Sequence, residues 1–210
     1  CFRFAENGGT ALVTARLIQS EVPNANWDTL AVEAAVALNA KAVTLTNGTQ
    51  AVVVNEFTGG YLNVEDDAGE GYLYLIGSNS VAAASGIITV NLAPGHSVQV
   101  AMTTSTKCGI WKNPFKDVII HDSPATALLL GVSIGAIAAN AGCWLQTGGI
   151  ASCLVQGTVV INERVIDSAT DDGAVAPTAS TAAGEEYYVG ITHEVAATTT
   201  EGTFKLMMEA

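Results

Sequence analysis

The residues with chemical reach in this 210-residue chain are three histidines, four cysteines, one dense acidic group and a Gly-Gly turn. His121, Asp122 and Ser123 are the three residue types of a hydrolytic triad. Neighbours on an extended chain point to alternate faces, so these three cannot meet as base, orienter and nucleophile. His96 follows a Pro-Gly turn, and His193 beside Glu194 reads as a surface pair. No GxSxG, HExxH or deaminase-type zinc pattern occurs. Glu65, Asp66, Asp67 and Glu70 could hold Ca²⁺, but they lack the alternating acidic loop with a distal Glu. A solvated hairpin tip is the plainer reading. Cys1, Cys108, Cys143 and Cys153 contain no CxxC spacing, which leaves zinc and redox chemistry without a local signature. "QTGGIAS" at 146–152 has the glycines of a phosphate loop but neither its Lys nor a following helix. A two-residue turn there would put Trp144 opposite Cys153, and a three-residue turn would bring Cys143 and Cys153 face to face. A disulfide therefore depends on register, and reduced, buried thiols are the expectation. Trp27, Trp111 and Trp144 read as core or interface anchors. No catalytic residue, metal ligand or cofactor is assigned, and the chain is not expected to be an enzyme.

Composition supports a structural role. Hydrophobic residues make up 49% and charged residues 13%, with a net charge of -12. Eight Lys and Arg give no basic footprint for DNA or RNA. No charge lies between Glu70 and Lys107, or between Asp122 and Glu163. Such long neutral blocks imply surface that faces protein, and hence an oligomer. They are not membrane helices: a span needs about 20 predominantly apolar residues, and 125–142 is broken by Gly and ends in polar residues. The first residue is Cys rather than Met. A mature lipoprotein also begins with Cys, but Phe2 is unfavourable beside it, so trimming of an N-terminal segment is expected.

The elements that must position these residues are strands. The expected fold class is mainly β, with sandwich- or barrel-like domains and one short N-terminal helix. Residues 1–41 read as an arm in which Asn26 or Asp28 caps a helix over 28–39. Residues 42–120 read as a β domain and 121–210 as a second, barrel or sandwich domain. Asn47-Gly48, between β-branched runs, predicts a tight type I′ hairpin; with Thr49 it also forms a glycosylation sequon. Residues 60–80 read as strand, acidic turn, strand. Residues 85–104 repeat that plan around Ala93-Pro94-Gly95. Later strands fit 127–132, 143–147, 151–155, 158–161, 187–191 and 203–208, with a long loop carrying one short strand over 162–186. Residues 130–146 and 189–207 echo each other.

Several of these segments, taken in order, resemble the decoration or cement proteins of tailed-bacteriophage heads. They are "GYLNVEDDAGEGYLYLIGSNS" at 60–80, "ITVNLAPGHSVQVAMTT" at 88–104, "IWKNPFKDVIIHDS" at 110–123, "LLGVSIGAIAANAGCWLQTGGIASCLVQGTVV" at 129–160 and "YVGITHEVAATTTEGTFKLMM" at 188–208. The resemblance covers roughly residues 60–210. It implies an all-β virion protein on the capsid exterior, assembled in the host cytoplasm. It also implies a homo-oligomer, a trimer, that binds the major capsid protein and stabilises the shell. No nucleic acid, membrane or cofactor is implied. The candidate interface residues are Trp144, Gln146, Gly148, Gly149, Trp111 and Phe115. Cys143 before Trp144 departs from the pattern, where an aromatic would be more typical. The competing readings are another virion component (a head or tail fibre base, or a shell protein) and a carbohydrate-binding β domain.

Overall fold

Alternation of β-branched with small polar residues sets the architecture. The computed structural model describes residues 1–178 and 188–208. In chain order the strands are β1 (Phe2–Glu6), β2 (Leu17–Gln19), β3 (Leu30–Ala31), β4 (Ala42–Thr46), β5 (Tyr61–Asp66), β6 (Leu73–Asn79), β7 (Ile87–Leu92), β8 (Lys107–Trp111), β9 (Ile119–Ile120), β10 (Leu129–Ser133), β11 (Gly142–Gln146), β12 (Gly148–Val155), β13 (Arg164–Asp167), β14 (Ala174–Pro177), β15 (Gly190–Thr192) and β16 (Glu201–Met207). The fold is mainly β, as expected, with barrel-like sheets.

The chain divides into two units, and the divisions are not those expected. One unit joins Cys1–Val22 to Pro114–Ala210; the other is Pro23–Asn113. The first residues are no arm, because β1 pairs with β11 and β2 with β10. The expected helix at 28–39 is also absent. Only a 3-10 turn, Ala25–Trp27, precedes it. Leu30, Val32 and Val36 are buried at even spacing, and Val36 N–H donates to Met102 O at 3.0 Å. Cross-chain bonds and core burial outweigh the helical propensity of the alanines.

The Pro23–Asn113 unit is a six-stranded sheet in the order β3-β8-β5-β6-β7-β4. The strands β4, β5 and β7 bury every second residue. Leu45, Leu62, Ile76, Ile88 and Ile110 meet around Phe57 and Met102 in one core. The β5/β6 hairpin forms as expected, with Tyr61 opposite Leu75. The Pro94-Gly95 turn follows β7, but 97–101 is not a strand. The other unit combines a five-stranded sheet, β1-β11-β10-β2-β9, with a closed barrel, β12-β14-β13-β15-β16. Phe204, Val155, Val165 and Val175 fill the barrel. Leu17 and Val132 on one face of the sheet join that core. Ile18, Leu145 and Cys143 pack on the opposite face with Leu12 and Val118.

One device recurs in both units. A buried aliphatic residue makes a single β-bridge, two residues turn outward, the third takes positive φ, and a strand follows. Leu12 bridges Ile137, Val52 bridges Ala82, and Val159 bridges Ala196. The turn residues are Ala15, Asn140, Asn55, Ser85, Asn162 and Thr199, with φ between 55° and 68°. Asn is the non-glycine residue that best tolerates this region. The echo between 130–146 and 189–207 is this corner: strand, bridge, turn, strand in each.

The Asn47-Gly48 signal belongs to a corner as well. Asn47-Gly48 does not close a hairpin, because β4 pairs with β7 and not with 51–54. Asn47 turns inward instead. Its Nδ2 donates to Gln50 O at 2.6 Å and Ala83 O at 3.1 Å. Asn7-Gly8 does the same in the other unit, with Asn7 Nδ2 donating to Thr10 O at 2.9 Å and Ala138 O at 2.8 Å. The sequon amide is thus occupied inside the fold. Asn47→Ala leaves the Gln50 and Ala83 carbonyls without their donor at a part-buried corner. The expected cost is about 1–3 kcal/mol, read as a lower denaturant midpoint with an unchanged slope.

The expected hairpin of 143–147 against 150–155 is not formed either. β11 lies between β1 and β10, whereas β12 pairs with β16 and β14 in the barrel. Thr147 is the crossing point. Cys143 and Cys153 therefore face separate cores, and both are free thiols. Residues 158–161 contribute only the Val159 bridge. Among its described residues, 162–178, the 162–186 stretch holds two strands, β13 and β14, rather than the one expected. The expected strand at 187–191 begins at Tyr187, outside the described residues; β15 starts at Gly190.

Candidate interface at the edge of the five-stranded sheet

β1 is an edge strand, and its backbone alternation decides what it offers. Thr147 N–H donates to Cys1 O at 3.1 Å, and Asn7 N–H to Ala141 O at 2.9 Å. In an antiparallel ladder these contacts place the odd-numbered β1 residues in bonds to β11. The N–H and C=O of Phe2 and Phe4 then face the open side. Glu6, next in that series, is closed off: its N–H donates to Phe115 O at 2.8 Å, and it accepts from Val118 N–H at 2.9 Å. Among the described residues no strand pairs with Phe2 and Phe4. By contrast, the outer side of β4 is closed by the Val32 bridge to Leu45 and by Glu33 N–H donating to Thr44 O. Natural sheets blunt exposed edges with charged side chains, Pro or bulges; the open part of β1 has neither Pro nor bulge, and its one charge, Arg3, is on the opposite sheet face from Phe2 and Phe4.

The side chains of the same edge are aromatic. Phe2, Phe4 and Trp144 are 53%, 61% and 55% exposed. Phe4 sits directly opposite Trp144 in the ladder and Phe2 opposite Gln146. This sheet face continues to Val132 and Leu17, which the barrel covers, but it is uncovered at the aromatics. The Phe4 and Trp144 rings meet edge to face, 5.6 Å apart at 75°, a favourable quadrupole geometry. Gly142 makes room for this: a Cβ there would lie 2.8 Å from the Phe4 ring. The ring contact and the space left by Gly142 thus set the geometry of the aromatic pair.

The other expected interface residues divide. Gln146 Nε2 donates to Ile150 O at 2.7 Å and Gly148 O at 3.2 Å, bracing the crossing beside the aromatics. Gly149 takes φ of 88° and is exposed, while Gly148 is buried. Phe115 is half-buried, with the Arg3 guanidinium 5.9 Å from its ring centroid. Trp111 belongs to the other unit, on β8 opposite Tyr61. Phe2 and Phe4 were not among the expected residues. Their signal is the alternation "FRF", legible only once 1–6 is known to be a strand.

The groups with chemical reach are engaged elsewhere. Asp67 Oδ2 accepts from Thr103 Oγ1 at 2.8 Å and Thr106 Oγ1 at 3.3 Å. The Thr103 bond leads in holding its carboxyl below the usual range. Glu65 Oε2 accepts from Thr29 N–H at 3.0 Å, and burial raises its carboxyl. Among the described residues no three His, Cys, Asp or Glu side chains group to hold a metal ion. Burial pushes the Cys108 and Cys153 thiols up to about 12, so both stay protonated and unreactive at neutral pH. No described helix is long and apolar enough to cross a membrane. Compared with protein families, characterised proteins and solved structures, the chain matches none.

Proposed function

We propose that this chain is a structural protein of a tailed-phage virion, a cement protein that binds the outer surface of the head. The observation that carries the reading is the open edge of β1, with its ordered Phe4/Trp144 pair. The resemblance of 60–210 to decoration proteins supplies the class of partner. In this reading a strand of the major capsid protein pairs with Phe2 and Phe4, and its apolar side chains cover the aromatics. The neutral blocks face protein, either the shell or further copies in a trimer. The mechanism is purely physical. Binding only the assembled lattice stabilises it by mass action, by about 2.7 kcal/mol per site at a hundredfold excess over Kd. Summed over many copies, this resists the pressure of packaged DNA.

Co-sedimentation with matching shells stripped of this protein tests the reading. Saturation at a fixed ratio to shell subunits is the expected result. Saturation at a handful of copies per virion would indicate a fibre base instead. No association with shells, together with a specific hit on a glycan array, would move the assignment to carbohydrate binding. Light scattering should give the mass of three chains, about 65 kDa from the 21.5 kDa chain.

A further inference from the structure

His121 is fully buried in the first-described unit, just after β9. Its ring joins the sheet to the barrel. Nδ1 accepts from Gly173 N–H at 2.7 Å, a donor it shares with the His121 carbonyl at 3.0 Å, and Nε2 lies 3.3 Å from Ser168 O. A backbone N–H can only donate, so Nδ1 carries a lone pair and Nε2 the proton. Gly173 is a junction in its own right. Its carbonyl accepts from Leu17 N–H at 2.8 Å and lies 3.7 Å from Cys153 Sγ. Its φ is 70°, and a Cβ would strike Arg16 Cδ at 2.7 Å and Ile120 Cγ2 at 2.8 Å. One peptide thus ties β2, β9 and the barrel together, and the His121 imidazole and carbonyl hold it jointly.

We propose that His121 is an acid-sensitive latch: a proton on Nδ1 faces the Gly173 N–H, breaks that bond, and loosens the 168–173 loop against β2 and β9, leaving it on the His121 carbonyl and the Ser123–Asp172 bonds. The surrounding charges favour this reversibly. Asp122 follows His121 on its own segment, Asp167 ends β13, and Asp171 and Asp172 lie on the loop. Across the junction stand Arg16 and the Cys153 thiol. Arg16 is held by Ala15 O at 3.0 Å and Thr14 O at 3.3 Å and lies 3.7 Å from Glu201. Burial pulls the imidazole below its ordinary value, while the bond to the Ser168 carbonyl and then Asp167, Asp172 and Asp122 oppose that pull. The folded form therefore binds the proton less readily than the unfolded chain, whose histidine titrates near 6.5. The latch contribution is complete above about pH 6.5. It is lost as pH falls through the lower, folded value, by up to tenfold in the folding constant per pH unit.

The test compares wild type with His121→Gln, whose amide can still donate toward Ser168 O, by urea unfolding and amide exchange from pH 8 to 4.5. The expected result is a wild-type midpoint that declines below pH 6.5 more steeply than the variant's. Corrected for intrinsic rates, exchange at Gly173 and Leu17 should accelerate about tenfold per pH unit in the wild type alone. If His121→Gln fails to fold, ¹³C titration of the wild-type imidazole decides. Ionisation below 6.5, coincident with loss of Gly173 protection, supports the latch. Parallel pH profiles for the two proteins overturn it, as does ionisation at or above 6.5 with Gly173 still protected.

Discussion

Phe57→Ala lowers the stability of the Pro23–Asn113 unit by about 3–5 kcal/mol. Phe57 is fully buried, and its ring meets Trp27 edge-on at 4.8 Å and 89°. Removing it opens a cavity at the centre of the core that also contains Leu62, Ile76 and Met102. The backbone there has little freedom to collapse. Phe57 N–H donates to Asn79 Oδ1 at 2.8 Å, and Asn79 Nδ2 donates to Val53 O at 2.9 Å, fixing the corner that carries it. On the far side Lys112 Nζ lies 5.3 Å from the Trp27 ring centroid and 3.3 Å from Glu56. The variant should show a lower urea midpoint by Trp fluorescence, with Trp27 losing its packed environment. Phe57→Leu, which refills part of the volume, should cost about 1–2 kcal/mol. Equal midpoints for wild type and Phe57→Ala would mean that this core does not limit stability.

Trp144→Ala and Phe4→Ala should each weaken shell binding by about thirtyfold or more, the loss typical of an aromatic hot spot of 2 kcal/mol. The stability of the free chain should barely move, because both rings are more than half exposed. Their effects should not add, since the rings touch and each orients the other. Gly142→Ala offers a sharper test. It removes no contact with a partner but displaces the Phe4 ring, so a loss of affinity there measures preorganisation. Isothermal titration against stripped shells, with thermal melting of the free variants, separates the two effects. Wild-type affinity in Trp144→Ala would remove this edge from the interface.

Local pairing was legible in the sequence; distant pairing was not. The β5/β6 hairpin is read correctly because its two strands are joined by their own turn. The Asn47-Gly48 and Gly148-Gly149 hairpin signals failed for one reason. A positive φ or an Asn-Gly pair marks a sharp reversal, but it does not say which strand receives the chain. Here the reversal at Asn47 serves a corner that meets Ala82, thirty residues from Val52. The helix expected at 28–39 failed because alanines between valines satisfy both periods, and burial of Leu30, Val32 and Val36 chose the extended one. At the candidate edge Trp144 and Gln146 were visible as a motif. Phe2 and Phe4 were not, since their exposure follows from β1 lying at a sheet edge. Trp111, grouped with them by sequence order, lies in the other unit.

The most direct test of the account is the heat and osmotic resistance of stripped shells with and without added protein. Wild type should restore resistance in proportion to occupancy, saturating with binding, and Trp144→Ala should restore it only at correspondingly higher concentration. Shells that bind the protein to saturation yet burst at the same temperature and osmotic step as bare shells would contradict the cement role.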